Sequence, residues 1–175
     1  MDTIRGIRAG ARVEEIEECY RTKFADFARL AMMIVGDRGR GYDVVQEAFA
    51  TAIRKRRSFK RAGRLDAWVC RIVINHAKNA RRGVMRHRGE LFGEVATASA
   101  TSPVSISESR SDQLRPWFAS LPERQRLALF LRYYADLDYE AIAEAMDIQP
   151  GTVAATLNAA HLSLQRLIPR EALHE

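Results

Sequence analysis

Residues 64–83 read RLDAWVCRIVINHAKNARRG. Leu65, Trp68, Val69, Ile72, Val73 and His76 recur there at the three- and four-residue spacing of a helix with one apolar face. Arg71, Lys78, Arg81 and Arg82 are interspersed among them. One helix therefore serves the core on one side and carries positive charge on the other.

Working back towards the N-terminus, two more segments show the same period. Phe24, Phe27, Leu30, Ala31 and Ile34 share a face until Gly36-Asp37 ends the run, and Val44, Val45, Ala48, Phe49, Ala52 and Ile53 form a second stripe. No window alternates as a strand does, and no Asn-Gly or Asp-Gly pair marks a hairpin. The first half is predicted to be a helix bundle. The stretch after Glu94 reads VATASATSPVSISESRS, rich in Ser, Thr and Ala, and is predicted to be a tether.

Beyond it the helices are shorter. Pro122 suits a first helical turn, and Leu127, Phe130, Leu131 and Tyr134 are expected to face inward. Asp138 is a natural N-cap for a short helix bearing Ile142, Ala143 and Met146. Asp147–Gly151 turns the chain into a last helix with Val153, Leu157, Ala160, Leu164 and Leu167 on one side. Short helix, tight turn and longer helix make the helix-turn-helix pattern. The expected fold is all-α, with two small helical domains. The expected limits are an unstructured arm over 1–15, a first domain over 16–90, a flexible linker over 91–111 and a helix-turn-helix domain over 112–175.

Charge divides the chain in the same place. Residues 1–100 hold 21 Lys/Arg against 12 Asp/Glu, whereas residues 112–175 hold 6 against 9. The net charge of +6 therefore conceals a cationic first half and an anionic second half. A polyanionic partner should meet the first half. Seven cations (Arg54, Lys55, Arg56, Arg57, Lys60, Arg61 and Arg64) crowd eleven positions around a single aromatic, Phe59. Such interleaving suits a nucleic-acid strand, with cations on phosphates and a ring for a base.

These residues resemble the sigma factors of bacterial RNA polymerase, in particular the small extracytoplasmic-function type of the sigma-70 superfamily. GYDVVQEAFATAIRKR (41–56) resembles their polymerase-binding helix. RLDAWVCRIVINHAKNARRG (64–83), with Trp68, Arg71, Ile72 and Asn75, resembles their promoter −10 helix. SLPERQRLALFLRYYADLDYEAIAEAMDIQPGTVAATL (120–157) resembles their −35-reading domain. The resemblance implies that Asp43, Gln46, Glu47 and Phe49 dock on the clamp coiled coil of the largest polymerase subunit. Asp43 and Glu47, four residues apart, would share a helix face. It implies that Arg57, Phe59, Lys60, Arg61, Arg64, Trp68, Arg71, Asn75, Lys78, Asn79, Arg81 and Arg82 grip the −10 element and its melted strand. A flipped base would enter the loop from Ser58 to Asp66. On its own position Trp68 is equally a core residue, since it lies on the apolar stripe.

One segment departs from the family. From Ile148 to Gln165 there are 18 consecutive residues without Asp, Glu, Lys or Arg, so the last helix lacks the cations that normally reward DNA binding. Gln149, Thr152, Thr156, Asn158 and His161 remain candidates for reading −35 bases. The alternative is a protein-facing surface for an anti-sigma factor, an activator or the polymerase flap. The implied partners are core RNA polymerase, promoter DNA and an anti-sigma factor. Two other classes stay open: a polymerase-independent helix-turn-helix regulator, and a sigma-like decoy that titrates an anti-sigma factor.

Nothing in the sequence suggests catalysis, and the expectation is of no enzyme, metal site, cofactor or small-molecule substrate. His76, His87, His161 and His174 are scattered, Cys19 and Cys70 lie 51 positions apart, and no P-loop, nucleophile elbow or dinucleotide fingerprint occurs. The glycines of Gly36–Gly41 sit between helices with no preceding strand, so a turn is expected there rather than a phosphate cradle. No run of about 20 apolar residues and no signal-peptide core is present, so the chain is expected to be cytoplasmic and free of membranes.

Overall fold

The computed structural model describes residues 10–91, with side chains to Arg86, and residues 117–167. Among them every regular element is helical. The first domain consists of α1 (Val13–Val35), α2 (Arg38–Lys55), a 3-10 turn (Arg56–Ser58) and α3 (Leu65–Leu91). The second has a helical turn at 117–120, α4 (Glu123–Leu129) running into a π-helical turn (Phe130–Tyr134), α5 (Tyr139–Met146) and α6 (Pro150–Leu167).

Each boundary follows from local chemistry. Gly36, at φ 75°, closes α1 in a left-handed cap, and its N–H donates to the Met32 carbonyl. Asp37 then caps α2 by accepting from the Arg40 N–H at 2.8 Å. The expected turn therefore spans only Gly36-Asp37, and Gly39 and Gly41 are helical. Asp138 caps α5 through the Ala141 N–H at 2.8 Å, as its position suggested. Pro122 stands at the N-cap of α4, one residue before the first turn.

In the first domain α1, α2 and α3 pack mutually around Phe27, Leu30, Val45, Ala48, Val69 and Val73, all at most 1% exposed. Burying each of the larger of these is worth roughly 1.5–3 kcal/mol relative to water. In the second, Leu127, Leu131, Leu137, Ile142, Val153 and Leu157 form an equivalent core. Three stripe positions come out differently: Ile53, Tyr134 and Leu167 are 38%, 41% and 39% exposed. Each lies at or near the end of its stripe.

The N-terminal boundary needs correction. The arm expected over 1–15 is helical from Val13, because Glu15 accepts from the Arg12 N–H at 2.7 Å and pairs with Arg61. Ala11 is also tied down, donating to the Arg56 carbonyl at 2.8 Å. Residues 1–9 lie outside the described part. So does the expected linker, apart from Leu91, which ends α3.

At Gly41 α1 and α2 approach closely, for a methyl added there would collide with Met32. Gly41→Val should therefore force the two helices apart and destabilise the fold by about 1–3 kcal/mol, as overpacking of a filled core does. Urea denaturation followed by circular dichroism measures this. A midpoint equal to that of the parent would show that the contact is slack.

Candidate nucleic-acid and protein interfaces

The acidic residues predicted to dock on a protein are displayed as a set. Asp43, Gln46 and Glu47 are all exposed on α2, with Glu47 3.5 Å from the His76 ring of α3. Phe49, predicted beside them, is not: at 5% exposure it packs edge-on against Tyr20 and Phe27, with ring centroids 4.9 and 5.2 Å apart. Its place is in the core, where it holds α2 against α1. Ile53 lies on the same face. Gln46, Ala50 and Ile53 follow at i, i+4, i+7, and all are exposed. Ile53 is 38% exposed there, at the end of its apolar stripe.

The cationic residues fall into two groups. Arg57, Lys60 and Arg61 lie exposed on the turn and loop between α2 and α3, and Arg61 reaches back to Glu15 with contacts of 3.2 and 3.1 Å. On α3, Arg71, Asn75, Lys78 and Arg82 follow at i, i+4, i+7, i+11 along one side, with Asn79 and Arg81 adjoining. Arg82 is held by the Asn79 side chain at 3.0 Å and the Lys78 carbonyl at 3.3 Å.

Phe59 again differs from expectation. It is 6% exposed and lies against Trp68, centroids 5.6 Å apart, so in this arrangement it offers no face for a base. Trp68 is half-buried and completes the pair. By packing on Phe59 it anchors the loop that carries Lys60, Arg61 and Arg64.

The root of that loop is an ion cluster. Arg64 meets Asp66 through two contacts, Nε to Oδ1 at 3.1 Å and a terminal nitrogen to Oδ2 at 2.8 Å, and Lys23 of α1 binds the same carboxylate. Partial burial raises the Asp66 pKa, but the hydrogen bonds from Arg64 and Lys23 outweigh it and hold the carboxyl at about 2. Glu15 is likewise lowered to about 2, chiefly by Arg61. Burial pushes the Cys19 thiol up to about 11 and Cys70 higher still, so neither is a thiolate near neutrality.

On α6 the −35 candidates separate. Gln149 and Asn158 are exposed. The Thr156 hydroxyl is turned inward onto the Thr152 carbonyl at 2.7 Å, and the His161 Nε2 lies 3.0 Å from the Tyr133 hydroxyl. The exposed strip runs Gly151, Ala155, Asn158, Leu162, which is uncharged and ends on a large apolar side chain.

Comparison with known proteins matches both halves. Residues 20–87 match the family description "Sigma-70 region 2" and residues 118–163 match "Sigma-70, region 4". The chain is 34% identical over 127 residues to the ECF RNA polymerase sigma-E factor of Escherichia coli, 66% of this chain and 66% of that protein. It is 31% identical over 151 residues to the RNA polymerase sigma-H factor of Pseudomonas aeruginosa, covering 79% of this chain and 78% of that one. Among solved structures it is similar to the sigma factor RpoE in complex with the anti-sigma factor NepR from Bartonella quintana. There the TM-score is 0.65, with 21% identity, covering 88% of this chain and 96% of that one. CnrH in complex with the cytosolic domain of CnrY gives a TM-score of 0.64 at 16% identity, covering 90% and 89%. At those identities the likeness speaks to the fold.

Because the Asp66 pKa is lowered in the folded chain, from 3.8 to about 2, its charged form stabilises the fold above pH 3.8. That contribution disappears as pH falls through about 2. Asp66→Asn should lower stability at neutral pH and flatten the loss between those two values, read as the urea midpoint at a series of pH values. An unchanged acid profile would show that the cluster contributes nothing.

Proposed function

The chain belongs to the extracytoplasmic-function group of the sigma-70 family, and from that premise we propose that it directs transcription initiation as an RNA polymerase sigma factor. In this reading the exposed Asp43, Gln46 and Glu47 bind cationic side chains on the clamp coiled coil of the core enzyme. Ile53 supplies the apolar contact beside them. Arg57, Lys60, Arg61 and Arg64 of the loop and Arg71, Lys78, Arg81 and Arg82 of α3 hold −10 phosphates, with Asn75 and Asn79 placed for base edges. The loop anchored by Phe59 and Trp68 receives the separated strand. No chemistry is performed: the protein positions an enzyme on an opened duplex.

One observation carries this reading. An acidic docking face on α2 and a cationic face on α3 adjoin in a single helical module, touching at Glu47 and His76. A polymerase-independent regulator would need its charge on the helix-turn-helix, where α6 has only Arg166. The second domain then reads −35 through Gln149 and Asn158, contributing selectivity rather than affinity. The uncharged strip of α6 also suits a protein surface, which keeps an anti-sigma factor among the proposed partners. The cytoplasm, where core polymerase resides, is the proposed location, and no described helix is long and apolar enough to cross a membrane.

The test is reconstitution with core polymerase. Asp43→Arg/Glu47→Arg should abolish both pull-down of the core enzyme and promoter-specific run-off transcripts, with helicity unchanged. Retention of core binding by that variant would overturn the assignment of α2. Lys78→Ala should weaken promoter binding at all sequences and reduce the slope of log K against log salt by about one unit. Asn158→Ala should lower transcription only from templates with an intact −35 element. An unchanged −35 footprint would transfer α6 to the protein-surface reading.

A further inference from the structure

The short lead into α1 is tied to the loop between α2 and α3. The Ala11 N–H donates to the Arg56 carbonyl at 2.8 Å, and the Phe59 N–H reaches the same oxygen at 3.3 Å. One carbonyl thus closes the 3-10 turn and receives the lead. Gly10 lies against that turn at φ 99°, where a Cβ would come within 2.7 Å of both the Arg56 oxygen and the Arg57 Cα. Backbone conformation and space both demand glycine there.

The second tie is an ion pair. Glu15 meets Arg61 through both carboxylate oxygens, at 3.2 and 3.1 Å, and its Oε2 also accepts from the Arg12 N–H at 2.7 Å. Arg61 sits within a further turn of the loop, in which the Gly63 N–H donates to the Lys60 carbonyl at 3.0 Å. The lead and the first turn of α1 therefore grip both turns of the loop, one through backbone and one through charge. The root of the loop is held separately, by Arg64 on Asp66.

For steering alone, Glu15 carries the wrong sign. An anion set beside Arg61, in the loop that also exposes Arg57 and Lys60, subtracts from the field that draws phosphates in. What it supplies is a fixed shape.

We infer that residues 10–15 form a strap that holds this loop in the stance in which Arg57 and Lys60 meet the separated strand, with Gly10 and Glu15 as positioning residues. This rests on the proposed DNA role of the loop. Gly10 acts through the backbone of Arg56 and Arg57, and Glu15 acts through Arg61. Ordering a loop at the moment of binding weakens the complex that forms. The strap orders it beforehand, with contacts internal to the first domain.

Charge and positioning predict opposite signs for Glu15→Gln. Glutamine still accepts from the Arg12 N–H, so the start of α1 is kept while the ion pair is lost. On charge alone, deleting this anion strengthens the hold on DNA, whereas loss of positioning weakens it. Glu14→Gln makes the same change in net charge at an exposed neighbour.

Each variant is assembled with core polymerase and titrated with a fluorescein-labelled, mixed-sequence single-stranded DNA, with core enzyme alone as the baseline. Glu15→Gln should lower the affinity roughly threefold, within the range of a partly exposed ion pair. Glu14→Gln should match or slightly exceed the parent, and Gly10→Ala should lose at least as much as Glu15→Gln. In the free chain, both strap variants should exchange amide hydrogens faster over residues 56–63 and at the parental rate over residues 44–52. Pull-down of core polymerase should be unaltered. An affinity gain for Glu15→Gln, or parental exchange over the loop, overturns the strap. Where Gly10→Ala does not fold, Glu15→Gln decides alone. Arg57→Ala/Lys60→Ala separates the two readings: parental strand binding by that variant removes the DNA role of the loop. If it binds weakly while Glu15→Gln equals or exceeds the parent, the strap alone falls.

Discussion

The carboxylate of Asp66 is the constraint on which the arrangement depends. It opens α3, the helix that must be apolar on one side and cationic on the other, and it is bound at once by Lys23 of α1 and Arg64 of the preceding loop. Arg64 continues to the Asp136 carbonyl of the second domain. A single partly buried anion thus ties together the start of α3, the stem of the loop between α2 and α3 and, through Arg64, the edge of the neighbouring domain. A carboxylate left unpaired there would bear the full cost of desolvation. The three elements are consequently placed together rather than independently.

That placement explains how a strongly cationic surface is compatible with a stable fold. Like charges repeated along one helix repel one another, and the cost is borne by whatever packs beneath. Here Ala67, Val69, Cys70, Val73 and Ala77 bury the opposite side of α3 almost completely. The repulsion is relieved locally, Arg61 by Glu15, Arg64 by Asp66, Arg71 by Asp147 and Arg81 by Glu123. Two of those anions belong to the same module and are held near pKa 2, so they stay charged. The other two belong to the second domain.

Helix positions, the stop at Gly36-Asp37, the cap at Asp138 and the core faces of α1 and α2 were legible in the sequence, because period and capping depend on residues a few positions apart. The family resemblance rested on three segments in order, and both domain matches fall on them. What escaped is non-local. Phe59 looks like a surface aromatic beside charge, and only Trp68 shows it buried, whereas Phe49 already lay on the apolar stripe and its docking role came from the resemblance alone. The helical start at Val13 depends on Arg61, 46 positions from Glu15. Contacts between the two domains pair residues 42, 72 and 76 apart. Charge asymmetry between the halves was visible, but its sign alone suggested steering of DNA, not contact between the halves.

The uncharged α6 follows from the same economy of charge. If cations stood along Gly151–Leu162, the second domain would lose its net negative character and with it the match to α3. A recognition helix rich in Lys or Arg and a domain that packs on a cationic helix are electrostatically opposed. With electrostatic affinity concentrated in the first domain, the second need supply only a shape and a few hydrogen-bonding groups, which is what Gln149 and Asn158 on an uncharged surface provide. In the proposed role, the effective concentration of the tethered domain on polymerase would compensate for its weak individual hold on DNA.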